Sequence, residues 1–253
     1  MSTSFPRAIV VGASSGVGAA VARKLAEEGA IVGLVARRRD RLEALKLECD
    51  ALSGSALVVP HDVRDYEAVP ELFDALVEEL GGLDLIVYAA GVMLPVDEHE
   101  YAFEKERQMV EVNLLGAMAW LNPALAHMEA ARSGVVVGVS SIAGERGRRG
   151  NPGYGASKAA LTTWLEGLRN KAHRYGVRIV TVKPGFIDTD MFRSAGIEGT
   201  PPGLSPITPE CCADEMLKMA NKGPLDAFVP RRWGLVATII AMIPSWLFRK
   251  TNV

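Results

Sequence analysis

Tyr154 and Lys158 stand four residues apart in Tyr154-Gly155-Ala156-Ser157-Lys158, and on a helix that spacing puts both on one face. A phenol with a pKa near 10 is a poor proton shuttle at neutral pH unless a cation stabilises the phenolate, and Lys158 supplies one. Ser141 lies thirteen residues before Tyr154, at the end of an apolar run, where its hydroxyl could donate a hydrogen bond to a carbonyl oxygen. Ser140 is its neighbour, and because consecutive strand residues face opposite ways, only one of the two can point at a substrate. The spacing to Tyr154 favours Ser141. A Tyr-x-x-x-Lys pair alone is a short motif that chance also produces. Its weight comes from the combination of a proton donor, a cation that tunes it and a hydroxyl that orients the reacting oxygen.

A second set of residues is suited to phosphate. The run Ala8 to Val11 leads straight into Gly12-Ala13-Ser14-Ser15-Gly16-Val17-Gly18, and a helical pattern follows at once. Glycines there permit a tight turn and a close backbone approach to a pyrophosphate, while the N–H groups and dipole of the next helix favour its charge. A glycine-rich turn without a ligand is the plainer alternative, and the strand, loop, helix order argues against it. A binder of NAD would present a carboxylate at the end of the second strand, but the chain reads Val35-Ala36-Arg37-Arg38-Arg39, with none before Asp40. Guanidinium forks at Arg37 and Arg38 suit a 2′-phosphate. Cations at a helix start oppose its dipole and so want an anion, although a solvated basic helix start would look the same in sequence. The pattern favours NADP(H) over NAD(H). Asp62-Val63 follows the third strand and Ala89-Ala90-Gly91 the fourth, at the carboxyl edge where open sheets bind ligands.

The elements that must carry these groups alternate along the chain. Apolar runs at Ala8–Val11, Ile31–Ala36, Ala56–Val59, Leu83–Ala89, Val135–Val139, Val177–Val182 and Ala227–Val229 predict strands buried on both faces. Helical segments are predicted over Val17–Glu28, Arg41–Leu52, Glu67–Leu80, Glu104–Met128 and Tyr154–Tyr175. That order predicts an α/β fold with a parallel sheet covered by helices on both sides. At 253 residues and 49% apolar composition, with no linker or repeat, the chain is expected to form one domain. From Pro184 to Pro209 five prolines and four glycines interrupt the rhythm, and so long a connection is usually functional. We read residues 185–207 as a substrate lid, with Thr208-Pro209 opening another helix.

Composition excludes several classes. Twenty-eight basic against thirty acidic residues leave a net charge of −2, which argues against a nucleic-acid binder driven by bulk charge. Cys49, Cys211 and Cys212 are too few and too badly spaced for a disulfide framework. His61, His99, His127 and His173 are scattered without ligand spacing, so no metal is expected. Met1 to Arg7 lacks a basic region followed by a long apolar stretch, so no export signal is expected and a cytoplasmic protein fits best.

Taken together, Gly12-x-x-x-Gly16-x-Gly18, Asp62, Ala89-Ala90-Gly91, Asn113, Ser141, Tyr154-x-x-x-Lys158 and Pro184-Gly185 with Thr189 strongly resemble the short-chain dehydrogenase/reductase family over nearly the whole chain. The resemblance implies a doubly wound Rossmann fold of about seven strands and an oxidoreductase moving hydride between NADP(H) and a carbonyl or secondary alcohol carbon. It also implies that Tyr154 is the general acid or base, that Lys158 lowers its pKa and holds the nicotinamide ribose, and that Ser141 orients the substrate oxygen. Asn113 would hold a water linking Lys158 to solvent. Backbone near Ile187 and the Thr189 hydroxyl would hold the carboxamide. Two positions depart from the family pattern: Val11 replaces the usual Thr before the first glycine, and Tyr88 the usual Asn before Ala89.

Several alternatives stay open. A 3-oxoacyl thioester reductase fits the same motifs, and a non-catalytic NADP-binding regulator or scaffold is opposed by the intact Ser141, Tyr154 and Lys158. A nucleotide-sugar epimerase would usually need a larger C-terminal domain. The loop Gly144 to Gly150 carries Arg146, Arg148 and Arg149 near the site; these either attract an anionic substrate or face water. The tail, residues 231–253, is apolar between Arg231-Arg232 and Arg249-Lys250. It could bury itself at a subunit interface or over the cavity, touch a membrane surface peripherally, or be expelled. If the tail and the Met191-Phe192 part of the lid both wall the cavity, the substrate is apolar. A homodimer or homotetramer is expected.

Overall fold

Apolar runs that alternate faces only through the period of the strand must be covered on both sides, and they are. A computed structural model describes residues 4–194 and 203–251. Its strands are β1 (Arg7–Val11), β2 (Ile31–Ala36), β3 (Ser55–Pro60), β4 (Leu85–Tyr88), β5 (Gly134–Val139), β6 (Val177–Pro184) and β7 (Asp226–Val229). They form one parallel sheet in the order β3-β2-β1-β4-β5-β6-β7. Side-chain alternation is explicit: Ala8 and Val10 of β1 point into one core, Ile9 and Val11 into the other. The first core is closed by α1 (Gly16–Glu27), α2 (Arg39–Asp50) and α8 (Pro209–Asn221). The second is closed by α3 (Val69–Leu80), α5 (Gly116–Ala131) and α6 (Pro152–Ala172). This is the doubly wound Rossmann arrangement. Strand order reverses between β1 and β4, which opens a crevice at their carboxyl ends.

Predicted and observed elements differ where a side chain from elsewhere decides the boundary. Helix α6 begins at Pro152, two residues before the predicted start, because the Asn151 carboxamide accepts a hydrogen bond from Tyr154 N at 3.0 Å. The single helix expected over Glu104–Met128 is α4 (Phe103–Val110), a π-helical turn (Glu111–Leu115) and then α5. Thr208 caps α8 through Cys211 N, as its sequence predicts.

The lid begins with α7 (Asp190–Ser194), and its two ends are tied by Asp188 N to Ile207 O at 2.9 Å and Ile207 N to Phe186 O at 3.1 Å. Part of the lid, residues 195–202 with Ile197, lies outside the described residues. The tail forms α9 (Arg232–Met242) and α10 (Ser245–Phe248). Trp233 and Ala237 are buried on one face of α9, and Trp233 meets the Phe186 ring edge-on at 4.9 Å. Leu235, Ile239 and Met242 on the other side are exposed, as is Trp246. The tail is thus docked beside the lid rather than expelled. Among the described residues, no helix is long and apolar enough to cross a membrane.

Candidate active site

The loop after β1 is shaped for close approach. Gly12 has φ +94°, and a Cβ on it would stand 2.4 Å from Ala90 N, so the loop lies against the end of β4 in a way only glycine permits. A Cβ on Gly18 would stand 2.3 Å from Gly12 O, which sets α1 tight under the loop. Ser15 precedes α1 without capping it by its side chain. The hydroxyls of Ser14 and Ser15 instead each accept a hydrogen bond from Arg38 Nη2 at 2.9 Å.

Arg38 is therefore reached by two strands at once: it follows β2 and crosses to the loop after β1. Burial, then the charges of Arg41 and Arg37, push its pKa below the usual guanidinium range, the signature of cations gathered where an anion would relieve them. Arg37 lines the same cavity, whereas Arg39 turns away to Glu43.

One cavity of about 890 Å³ joins these residues to the rest of the site, within the size range of small-molecule and cofactor clefts. Gly16 and Val17 line it beside Gly12, as do Asp62 and Val63 after β3 and Ala89, Ala90 and Gly91 after β4. The Asp62 carboxylate is held low by Arg64, 2.7 Å away. Pro184, Gly185, Ile187 and Thr189 line the opposite wall. Gly185 is required there, because a Cβ would fall 1.9 Å from the indole nitrogen of Trp233. Gly18 and Asn113 are not among the residues that line the cavity.

At the carboxyl end of β5 the two serines divide as strand geometry demands. Ser140 Oγ donates to Lys158 O at 2.9 Å and lies 2.6 Å from Thr162 Oγ1, holding β5 to α6. Ser140, Ser141 and Tyr154 all line the cavity, but the Ser140 hydroxyl is taken up by α6, whereas Ser141 Oγ accepts from Ala143 N at 3.1 Å. Burial raises the pKa of the Tyr154 phenol, and hydrogen bonding to Ser141 opposes that shift.

Lys158 is buried, and its Nζ donates to Val139 O at 2.9 Å. Burial alone lowers its pKa to about 8. Nζ lies 5.9 Å from the Tyr154 ring centroid.

Asn113 is fully buried in the π-helical turn. Its Oδ1 accepts from Val92 N at 2.7 Å, while Nδ2 donates to Val92 O at 3.0 Å and Ser157 Oγ at 2.9 Å. Both amide protons are thus used within the protein, which leaves one lone pair of Oδ1 for any water. Asn113 Oδ1 and Lys158 Nζ each lie 3.4 Å from the point where a Cβ on Gly91 would stand.

Two further residues also matter, Asn151, which sequence reasoning did not assign to the site, and Arg148, which it left as one of three arginines that either attract an anionic substrate or face water. Asn151 caps α6 and donates Nδ2 to Leu94 O at 2.7 Å, joining the helix of Tyr154 to the loop after β4; Asn before Pro at a helix start was the available signal. Arg148 lines the cavity, although nothing in the sequence separates it from Arg146 and Arg149.

A glycine cradle, uncapped helix N–H groups, two paired hydroxyls under a guanidinium and an elongated cleft together fit a nicotinamide dinucleotide. Among the described residues, no group of three or more His, Cys, Asp or Glu side chains is arranged to hold a metal ion.

Comparison with known proteins agrees with this geometry. The family described as short chain dehydrogenase matches residues 6–198. An uncharacterized oxidoreductase of Myxococcus xanthus is 39% identical over 188 residues, covering 74% of each chain. Uncharacterized oxidoreductases of Staphylococcus aureus and Staphylococcus epidermidis are 35% and 33% identical over 182 and 184 residues; they cover 72% and 73% of this chain and 78% and 79% of their own.

Proposed function

Because the chain belongs to the short-chain dehydrogenase/reductase family, an oxidoreductase family that binds NAD or NADP, we propose that it is an NADP(H)-dependent enzyme interconverting a carbonyl and a secondary alcohol on an apolar small molecule. The observation that carries this reading is that Ser141, Tyr154 and Lys158 open into the same cavity as the Gly12 loop and Arg38.

Bound cofactor supplies or accepts the hydride. The chain's own residues manage the oxygen and its proton. Ser141 Oγ accepts from Ala143 N and hydrogen-bonds Tyr154, and its proton would turn to a carbonyl oxygen seated beside the two hydroxyls. Burial keeps the Tyr154 phenol protonated at neutral pH, poised to give that proton to the same oxygen as the alcohol forms. In the reverse direction the phenolate takes the alcohol proton, and Lys158 stands near enough for its charge to favour the phenolate. Asn113 fixes Ser157, the residue before Lys158, and so holds the start of α6.

NADP(H) is favoured by Arg38 and Arg37. Their guanidinium groups and the Ser14 and Ser15 hydroxyls form a cationic, donor-rich corner at the end of β2, suited to a phosphate on the adenosine ribose. An apolar substrate is supported by Met93, Leu94, Phe186, Met191 and Phe192 along the remaining wall.

The reading extends to a cytoplasmic protein that touches the membrane surface through its tail. Exposed Leu235, Ile239, Met242 and Trp246 lie among exposed Arg231, Arg232, Arg249 and Lys250, a combination suited to an anionic bilayer surface. Exposed Tyr101 and Phe103 at the start of α4 support a homodimer or homotetramer. Following NADPH and NADH consumption over a panel of ketones tests the cofactor and substrate assignments. Cosedimentation with anionic and neutral vesicles, compared for the wild type and Trp246→Glu, tests the tail; equal recovery in all cases would remove that contact.

A further inference from the structure

Three arginines lie between Ser141 and Tyr154, and two have partners within the protein. Arg146 donates to Ile240 O at 2.5 Å and Ala241 O at 3.2 Å, closing the C-terminal end of α9, and its guanidinium lies 4.1 Å over the Phe248 ring. Arg149 lies 3.7 Å from Glu98 and bonds Arg249 O at 3.5 Å. Arg148 differs from both. It lines the cavity of Tyr154 and Ser141, and its Nε is buried without a hydrogen-bond partner. Burial lowers its pKa. Of the acids that line the cavity, Asp62 is bound by Arg64 and Asp190 by Arg193, and among the described residues no ion pair joins Asp97 to Arg148.

A guanidinium keeps its charge at neutral pH and presents five N–H donors in a planar fork. Arg148 is half-buried, and keeping its Nε out of water without an acceptor is unfavourable, a cost that an arriving anion would relieve. The cofactor's phosphates have their own cradle across the sheet, at the ends of β1 and β2. Arg148 instead stands three residues before Asn151, which caps the helix at Tyr154 N. Its chain neighbours Arg149 and Asn151 contact Glu98 and Leu94 of the loop after β4, and Arg148 lines the cavity that Ser141 and Tyr154 also line.

We propose that Arg148 receives an anionic oxygen group, carboxylate or phosphate, carried by the substrate whose carbonyl meets Ser141 and Tyr154. This rests on the oxidoreductase reading and narrows its substrate class: an apolar body between the Met93–Leu94 segment and the Phe186 and Phe192 rings, with an anionic terminus on Arg148. Neutral ketones of the same shape would fill the apolar wall and leave the guanidinium unpaired.

Binding separates the two claims. Calorimetry on the wild type with NADPH present would compare a medium-chain oxo-alkanoate, the corresponding oxo-alkyl phosphate and the terminal amide of the oxo-alkanoate. At least one anion should bind about tenfold or more tightly than the amide, since a site built for a polar group rejects the analogue lacking it. The tighter of the two anions identifies the group. Arg148→Gln should collapse the ratio of anion to amide affinity to within about twofold, and Arg148→Lys should keep part of it. Equal affinities for all three ligands in the wild type, or an unchanged ratio in Arg148→Gln, would overturn the proposal. NADPH consumption with the amide reports the oxidoreductase reading independently, because that ligand needs no partner at Arg148.

Discussion

Tyr88 donates its phenolic hydrogen to the carbonyl oxygen of Val112, 2.6 Å away, and both residues are buried. Val112 and Asn113 occupy the π-helical turn between α4 and α5. The bond therefore fixes the wide turn that presents Asn113 to Val92 and Ser157. Gly116 belongs to the same device, because a Cβ there would stand 2.5 Å from the Tyr88 hydroxyl and 3.0 Å from Val63.

Loss of either partner in this contact should destabilise the fold. Tyr88→Phe leaves the Val112 carbonyl without its buried donor and should cost about 1–3 kcal/mol. Gly116→Ala overpacks the same spot and should cost about 1–3 kcal/mol. Urea unfolding measures both. Because the two residues touch, the double variant should cost less than the sum, and strict additivity would argue against the shared contact.

Arg38 should govern the choice between the two nicotinamide cofactors. Replacing Arg37 and Arg38 with Ala removes the cations at the end of β2 and releases the Ser14 and Ser15 hydroxyls. Fluorescence titration should then show NADPH affinity falling about tenfold or more, with NADH affinity within about threefold of the wild type. Equal losses for both cofactors would mean that the arginines hold the loop and do not read the phosphate.

Lys158 should impose an alkaline limit on carbonyl reduction. Its folded pKa is lowered to about 8 by burial, so the cation beside Tyr154 is present below that pH and lost as pH rises through it. For reduction, kcat/KM, which reports the free enzyme, should decline above about pH 8 with the loss of one proton. The effect on stability has the opposite sign. Between about pH 8 and the ordinary lysine range the unfolded chain binds more protons, so this group makes the fold more stable as pH rises. A reduction rate that stays level through the alkaline range would contradict the assigned role.

Much of this architecture is legible in the chain because strands buried on both faces have little choice but to be continuous apolar runs. Ile31–Ala36 is found with its predicted bounds. The glycine loop is equally readable, since Gly12 and Gly18 meet steric demands that no other residue satisfies. What periodicity conceals is set by contacts from distant elements. The π-helical turn interrupts Glu104–Met128 without any break in the pattern, and the Tyr88 hydroxyl that braces it comes from β4. Arg146, Arg148 and Arg149 look equivalent in sequence, and only their tertiary neighbours give one to a helix end, one to the cavity and one to Glu98. The tail likewise looks apolar all round, and the burial of Trp233 against Phe186 decides which side faces the protein.

The proton carried by Tyr154 is the centre of this account. The decisive measurement is NADPH consumption with an apolar ketone bearing a carboxylate, followed at 340 nm for the wild type and for Tyr154→Phe, with NADPH binding titrated in parallel. The wild type should turn over, and the variant should lose about 10²–10⁴-fold in kcat while binding NADPH within about twofold of the wild type. A variant that retains the wild-type rate would contradict the assignment of Tyr154 as the proton donor.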